Sequence, residues 1–153
     1  MPFTPFHLGP ALALGYLLRK KLDFKTFILA NISNDIEPLI VIFFNLKYPL
    51  HGFLHTLIGG VVLGTIISTV LYFIDKKLEK TKEYTKYLFS GVAGCEIHVL
   101  LDSPLYSDIK PLYPLDLNPL YYPQASFLVY GLCVFLFIIG LLIVAIDNIK
   151  LSA

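Results

Sequence analysis

The chain has 153 residues, 56% of them hydrophobic, with a formal net charge of +1 and a mean hydropathy of +0.72. That apolar excess excludes an ordinary soluble domain and indicates a membrane protein, at a length that suits one compact bundle (residues 1–153). With no basic stripe and no nucleic-acid motif, a nucleic-acid partner is not expected.

Five apolar segments follow in chain order. Residues 5–18 form a short one, either a partial span or a helix lying partly in the interface. Residues 24–45 are interrupted by Asn31, Asn34, Asp35 and Glu37, and Pro38 weakens the local helix ladder. Residues 53–74 carry His55 as their one ionisable group. Residues 84–106 carry Lys86, Glu96, His98 and Asp102, and residues 125–146 carry no charge. A crossing takes roughly 20 mostly apolar residues, so the expected fold is an all-α integral membrane bundle of about five helices, the first one short. The N-terminus lacks the basic region of a cleavable signal, so the first segment is expected to direct insertion itself. Cys95 and Cys133 lie in apolar segments and read as packing residues.

Basic residues set the direction of insertion. Arg19, Lys20, Lys21 and Lys25 separate the first two segments. Lys76, Lys77, Lys80, Lys82 and Lys86 separate the third and fourth, and Lys150 follows the fifth; Lys47 and Lys110 fall on the other side. The expected topology has the N-terminus outside and the C-terminus in the cytoplasm of a multi-pass cell-membrane protein. Residues 103–124, rich in proline and tyrosine, then form an external loop, either an aromatic belt with turns or a lid over a site.

Imidazoles and carboxylates in hydrocarbon cost a few kcal/mol each on insertion scales, so their presence asks for a reason. Counting helix rise from the nearest basic residue puts Asp35 at roughly 15 Å, His7, Glu37 and His98 near 18 Å and Asp102 near 24 Å. His55 comes out near 32 Å, so either its helix tilts strongly or it caps the site from above. His98 and Asp102 share one helix face at i and i+4; His51 and His55 do so if their helix is continuous. Such a gathering suggests a bound metal ion. Histidines hydrogen-bonded between helices, and an ion or proton pathway, fit the same residues. The apolar inner halves of the third and fifth segments favour a gathered site over a pathway.

At these residues the chain resembles the YdjM-like family of membrane-bound metal-dependent hydrolases. His7 in Pro5-Phe6-His7-Leu8-Gly9 resembles that family's N-terminal histidine, and Asp35-Ile36-Glu37 its acidic element. Residues 51–56 resemble its His-Arg-x-x-Thr-His element, His98 to Asp102 its late His-x-x-x-Asp, and Pro111 to Pro119 its proline-rich segment. Asn34 and Glu37 depart from the family's proline and second aspartate, and the spacing of His51 and His55 is one residue short. The resemblance implies a hydrolase with His7, His55, His98 and Asp102 as metal ligands, His51 as a further one, and Asp35 or Glu37 as general base or as ligands to a second ion. Zinc suits mixed nitrogen and carboxylate donors. A membrane lipid suits a site at headgroup depth, through an ester, phosphoester or amide bond.

Overall fold

The computed structural model describes residues 5–80 and 83–152; Lys82 lies outside them. The described residues are helical, with no strand among them. The helices are α1 (Pro5–Leu17), α2 (Phe24–Ser33), α3 (Ile36–Phe43), α4 (Leu57–Lys77), α5 (Tyr84–Asp102) and α6 (Ser126–Ser152). Single 3-10 turns cover Phe53–His55 and Pro123–Ala125.

Helices α2 and α3 are one apolar stretch with a break at Asn34 and Asp35. Pro38 has no N–H to give the Asn34 carbonyl, four residues back. That carbonyl takes the Glu37 N–H instead, at 3.3 Å, tightening the chain by one residue. Asp23 caps the start of α2 through Thr26 N (2.9 Å). Its own N–H reaches Ser90 Oγ on α5 at 2.7 Å.

Helix α5 is the centre of the bundle, packed against α4 on one side and α2 on the other, while α1 lies between α6 and α2. Small residues allow these close crossings. A Cβ added to Gly91 of α5 would sit 2.3 Å from the Gly64 carbonyl oxygen and 2.1 Å from Ser68 Oγ, both on α4. A Cβ on Gly94 would sit 2.6 Å from the Phe27 carbonyl oxygen of α2, and one on Gly9 of α1 2.0 Å from the Cys133 carbonyl oxygen of α6. Ser68 Oγ lies 2.7 Å from the Tyr87 carbonyl oxygen and bonds α4 to α5. Small residues and interhelical hydroxyls are how helices associate where lipid removes the hydrophobic drive.

Three helical stretches are long and apolar enough to cross a membrane: Phe24–Phe43, Leu57–Lys77 and Pro123–Lys150. Helix α1 is apolar but shorter. Helix α5, expected as a long span, is made too polar for that class by Lys86, Glu96, His98 and Asp102; it packs between α4 and α2 and leaves Phe89 and Leu100 outward. Helix α6 meets the bundle along one narrow side and leaves Phe127, Leu128, Phe135 and Leu142 outward, as a lipid-facing helix does.

The bundle has two chemically distinct ends. At one, Lys25 Nζ contacts both Asp75 oxygens (2.7 and 2.9 Å), Tyr87 OH donates to Asp75 (2.8 Å), and Arg19 pairs with Asp147. The other holds the break between α2 and α3, the start of α4 and the end of α5. There the loop after α5 folds back: Asn118 Nδ2 donates to the Ser103 carbonyl (2.8 Å), and Leu57 N donates to the Pro111 carbonyl (3.0 Å).

Candidate metal centre

Four side chains converge at this second end: Asp35 from the α2–α3 break, His55 from the turn before α4, and His98 and Asp102 from α5. One ligand atom from each lies within 4.8 Å of all the others, and all four residues are buried. Asp35 is 8% exposed and the other three 1% or less, so Asp35 forms the open edge.

Each group is held by local structure. His98 and Asp102 share a face of one continuous helix, as their spacing requires. His98 Nδ1 donates to the Asn31 carbonyl at 2.6 Å, which turns Nε2 inward. That Nε2 lies 3.6 Å from Asp35 Oδ1 and 3.5 Å from Asp102 Oδ2. Asn31 Nδ2 in turn donates to the Gly94 carbonyl (3.0 Å), locking α2 to α5 beside the histidine.

His55 reaches the cluster by a route that helix periodicity does not show. No helix runs through both His51 and His55. His51 lies in the loop, His55 ends the 3-10 turn, and α4 begins only at Leu57. The depth near 32 Å presumed a straight helix through this stretch, whereas the chain folds back over the top of α4. Gly59 permits this, since a Cβ there would sit 1.8 Å from the Phe53 carbonyl oxygen. Thr56 caps α4 by accepting from Gly59 N (2.9 Å).

Glu37 stands behind His55. Its Oε2 accepts from Gly52 N (3.0 Å), Leu54 N (3.1 Å) and His55 Nδ1 (3.2 Å). It thereby fixes the loop and directs the other imidazole nitrogen inward. Asn34 Nδ2 adds a bond to the Leu54 carbonyl (2.7 Å). His7 of α1 lies on the far side of Asp102, Nε2 to Oδ1 at 3.1 Å, with its ring stacked on His98 at 3.9 Å. Asp102 thus shows one oxygen to His7 and the other to His98.

His51 is set apart from the four. Its Nδ1 is 3.0 Å from both Asp108 oxygens, and its ring stacks on Tyr106 at 4.4 Å. It touches the cluster only edge to face, through His55 at 4.8 Å. Asp108 was not among the residues the sequence singled out; it lies in an aperiodic loop 57 residues away. His51 and Asp108 help line an outward cavity of about 220 Å³, with Tyr48, Thr56, Lys110 and Tyr113.

The donor set fits a metal ion. Among the described residues, the buried Nε2 of His55 has no hydrogen-bond partner, and the buried Nε2 of His98 and both Asp102 oxygens have only the ion-pair contacts to His7, Asp35 and each other, with no aligned hydrogen bond. Buried polar atoms rarely stay unsatisfied. Nitrogen and carboxylate donors together suit a divalent first-row cation.

No family model matches the chain, and neither the curated proteins nor the solved structures contain a match to it. The fold and site define an all-helical protein with membrane-spanning character and a buried His/Asp group spaced to hold a metal ion. The likeness to the YdjM-like family rests on the short motifs alone.

Proposed function

We propose that this protein is a membrane-embedded hydrolase of the YdjM-like kind, dependent on a divalent ion, with zinc favoured. His55, His98 and Asp102 would hold the ion, and His7 would support Asp102 from behind. The observation that carries the reading is the set of four buried ligand atoms within 4.8 Å, drawn from three separate parts of the chain. Three protein ligands and an open position are the pattern of catalytic zinc sites. When bound, such an ion makes water acidic enough to supply a nucleophile near neutral pH.

The chain's own groups do the rest. Asn31 and Glu37 fix which nitrogen of His98 and of His55 faces inward, as outer-shell acceptors do in metal sites. Asp35, at the open edge, accepts the proton of the attacking water and returns it to the leaving group. Glu37 Oε2 already accepts from three donors, which suits it to orientation more than to proton transfer. The buried walls keep bulk water away and strengthen these interactions.

The cluster lies at the bundle end opposite Lys25, Arg19 and Lys80. With the positive-inside rule, this supports a site on the extracytoplasmic side of the cell membrane. At headgroup depth the substrate is a lipid or another membrane-associated ester, phosphoester or amide. Hydrolysis of a lipid panel, with and without chelator, tests this. Activity lost on chelation, regained with zinc and absent in His98→Ala is expected. Turnover indifferent to both changes removes the hydrolase reading.

A further inference from the structure

Three exposed aromatic rings line the outward cavity: Tyr48, Phe53 and Tyr113. They form one connected wall. Tyr113 meets Phe53 edge to face at 6.1 Å, and the Tyr48 hydroxyl accepts from Phe53 N at 3.2 Å. Gly52 makes room for the wall, since a Cβ there would sit 2.2 Å from Cε1 of Tyr48. Two oppositely charged residues, Asp108 and Lys110, line the same cavity. Lys110 is paired with Asp116. Asp108 faces the His51 imidazole at 3.0 Å and pairs with no lysine or arginine among the described residues.

Which ligand suits this lining follows from the bonds its polar groups already make. Thr56 Oγ1 donates to the Phe53 carbonyl and accepts from Gly59 N, both at 2.9 Å. Both Asp108 oxygens meet His51 Nδ1 at 3.0 Å, and Lys110 is held by Asp116. A sugar or a primary amine, rich in O–H or N–H groups, would have to displace these bonds. A trimethylammonium group carries charge with no hydrogen to donate, and aromatic faces attract it. At about 220 Å³ the cavity falls below the roughly 300 Å³ at which pockets for drug-sized ligands begin, which suits a group this small. We propose that the outward cavity is a binding site for a quaternary ammonium group, carried by a choline-type lipid head or by a free small cation. His51 lines the cavity and meets His55 edge to face at 4.8 Å, so the bound group lies one imidazole away from the cluster. On the hydrolase reading it is the head of the substrate; the binding site itself rests on the cavity alone.

The full-length protein, held in a maltoside detergent that carries no ammonium group, is titrated calorimetrically with choline. Saturable binding is expected. The neutral analogue with carbon in place of the nitrogen, and ethanolamine with N–H groups in place of the methyls, should each bind at least about tenfold more weakly. Phe53→Leu and Tyr113→Leu should each weaken choline binding about tenfold with metal content unchanged. Tyr113→Phe, which keeps the ring, should bind as the wild type does. Asp108→Asn should weaken binding by a similar factor to the leucine variants. Should Phe53→Leu not fold, Tyr113→Leu reads the same wall. Glycerophosphocholine separates the two sources: binding at least as tight as that of choline marks a lipid head, and its exclusion marks a free cation, and both support the ammonium site. Equal binding of choline and its neutral analogue, or full affinity in both leucine variants, overturns the proposal. So does the lack of saturable binding, which leaves the three rings as part of an interfacial aromatic belt. Choline binding without metal-dependent turnover leaves the ammonium site standing and removes the hydrolase reading alone.

Discussion

His98 gives its Nδ1 proton to the carbonyl of Asn31 at 2.6 Å, and this one bond decides what the other side of the ring can do. With Nδ1 committed to the backbone of α2, Nε2 must face Asp35 and Asp102 as an acceptor. An imidazole so fixed is a ready metal ligand. His98→Ala should therefore lower metal affinity by more than the roughly 10–100-fold that loss of an outer-shell partner costs. Metal analysis after gentle purification reads the outcome. A variant that keeps a full equivalent of ion shows that His98 is not a ligand.

Glu37 acts on His55 much as the Asn31 carbonyl acts on His98, but from a side chain. Glu37→Gln keeps a neutral acceptor at the same place and removes the charge. Metal affinity should fall roughly 10–100-fold, with the fold retained. Competition with a chromophoric chelator measures the affinity and circular dichroism the fold. If Glu37 were instead the proton acceptor, metal affinity would stay at the wild-type value and turnover alone would fall.

The crossing of α4 and α5 depends on Gly91, whose missing side chain leaves room for Gly64 and Ser68. Gly91→Ala should destabilise the bundle by about 1–3 kcal/mol, because the helices must separate or the backbone shift. Thermal unfolding in detergent should show a lower midpoint. Gly131→Ala on α6, where an added Cβ meets nothing within 4 Å, should leave the midpoint unchanged or raise it. Equal effects at the two positions contradict the close crossing.

What the sequence made legible follows from which signals are local. His98 and Asp102 sit on one continuous helix, so their i, i+4 spacing translates directly into a shared face. Pro38 beside Asp35 and Glu37 marked the irregular backbone, because a missing N–H acts on a carbonyl four residues away. His55 defied the rise-per-residue estimate, since the chain folds back through a 3-10 turn that helix geometry does not describe. The partnership of His51 with Asp108 carried no signal at all. It joins two loops without periodicity, and only the folded lid brings them together. The polar character of α5 was visible as charges at Glu96, His98 and Asp102, but that it would pack between α4 and α2 depended on its neighbours.

Sidedness is open to direct chemical test. Cys95 and Cys133 are both buried, so an introduced cysteine should react alone. Tyr121→Cys, in the loop above the cluster, should label with an impermeant maleimide on intact cells. Lys80→Cys, among the basic residues, should label only after lysis. The reverse pattern would place the site in the cytoplasm and contradict the positive-inside assignment.

Buried carboxylates and imidazoles with unsatisfied atoms weaken a fold until something satisfies them. A ligand that binds only the folded state stabilises it by RT ln(1 + [L]/Kd), or about 2.7 kcal/mol at a hundredfold excess over Kd. The four donors come from the α2–α3 break, the turn before α4, and α5, so an ion here ties together parts of the chain that unfolding would separate. Chelation should therefore lower the unfolding temperature of the wild-type protein by several degrees, and added zinc should restore it. His98→Ala should begin near the chelated midpoint and respond to neither treatment. Glu37→Gln should fall between the two, needing roughly 10–100-fold more zinc to reach the same midpoint. A wild-type midpoint that does not move with chelator or with zinc means that the four groups satisfy one another without an ion, and the cluster is then a structural hydrogen-bonding core.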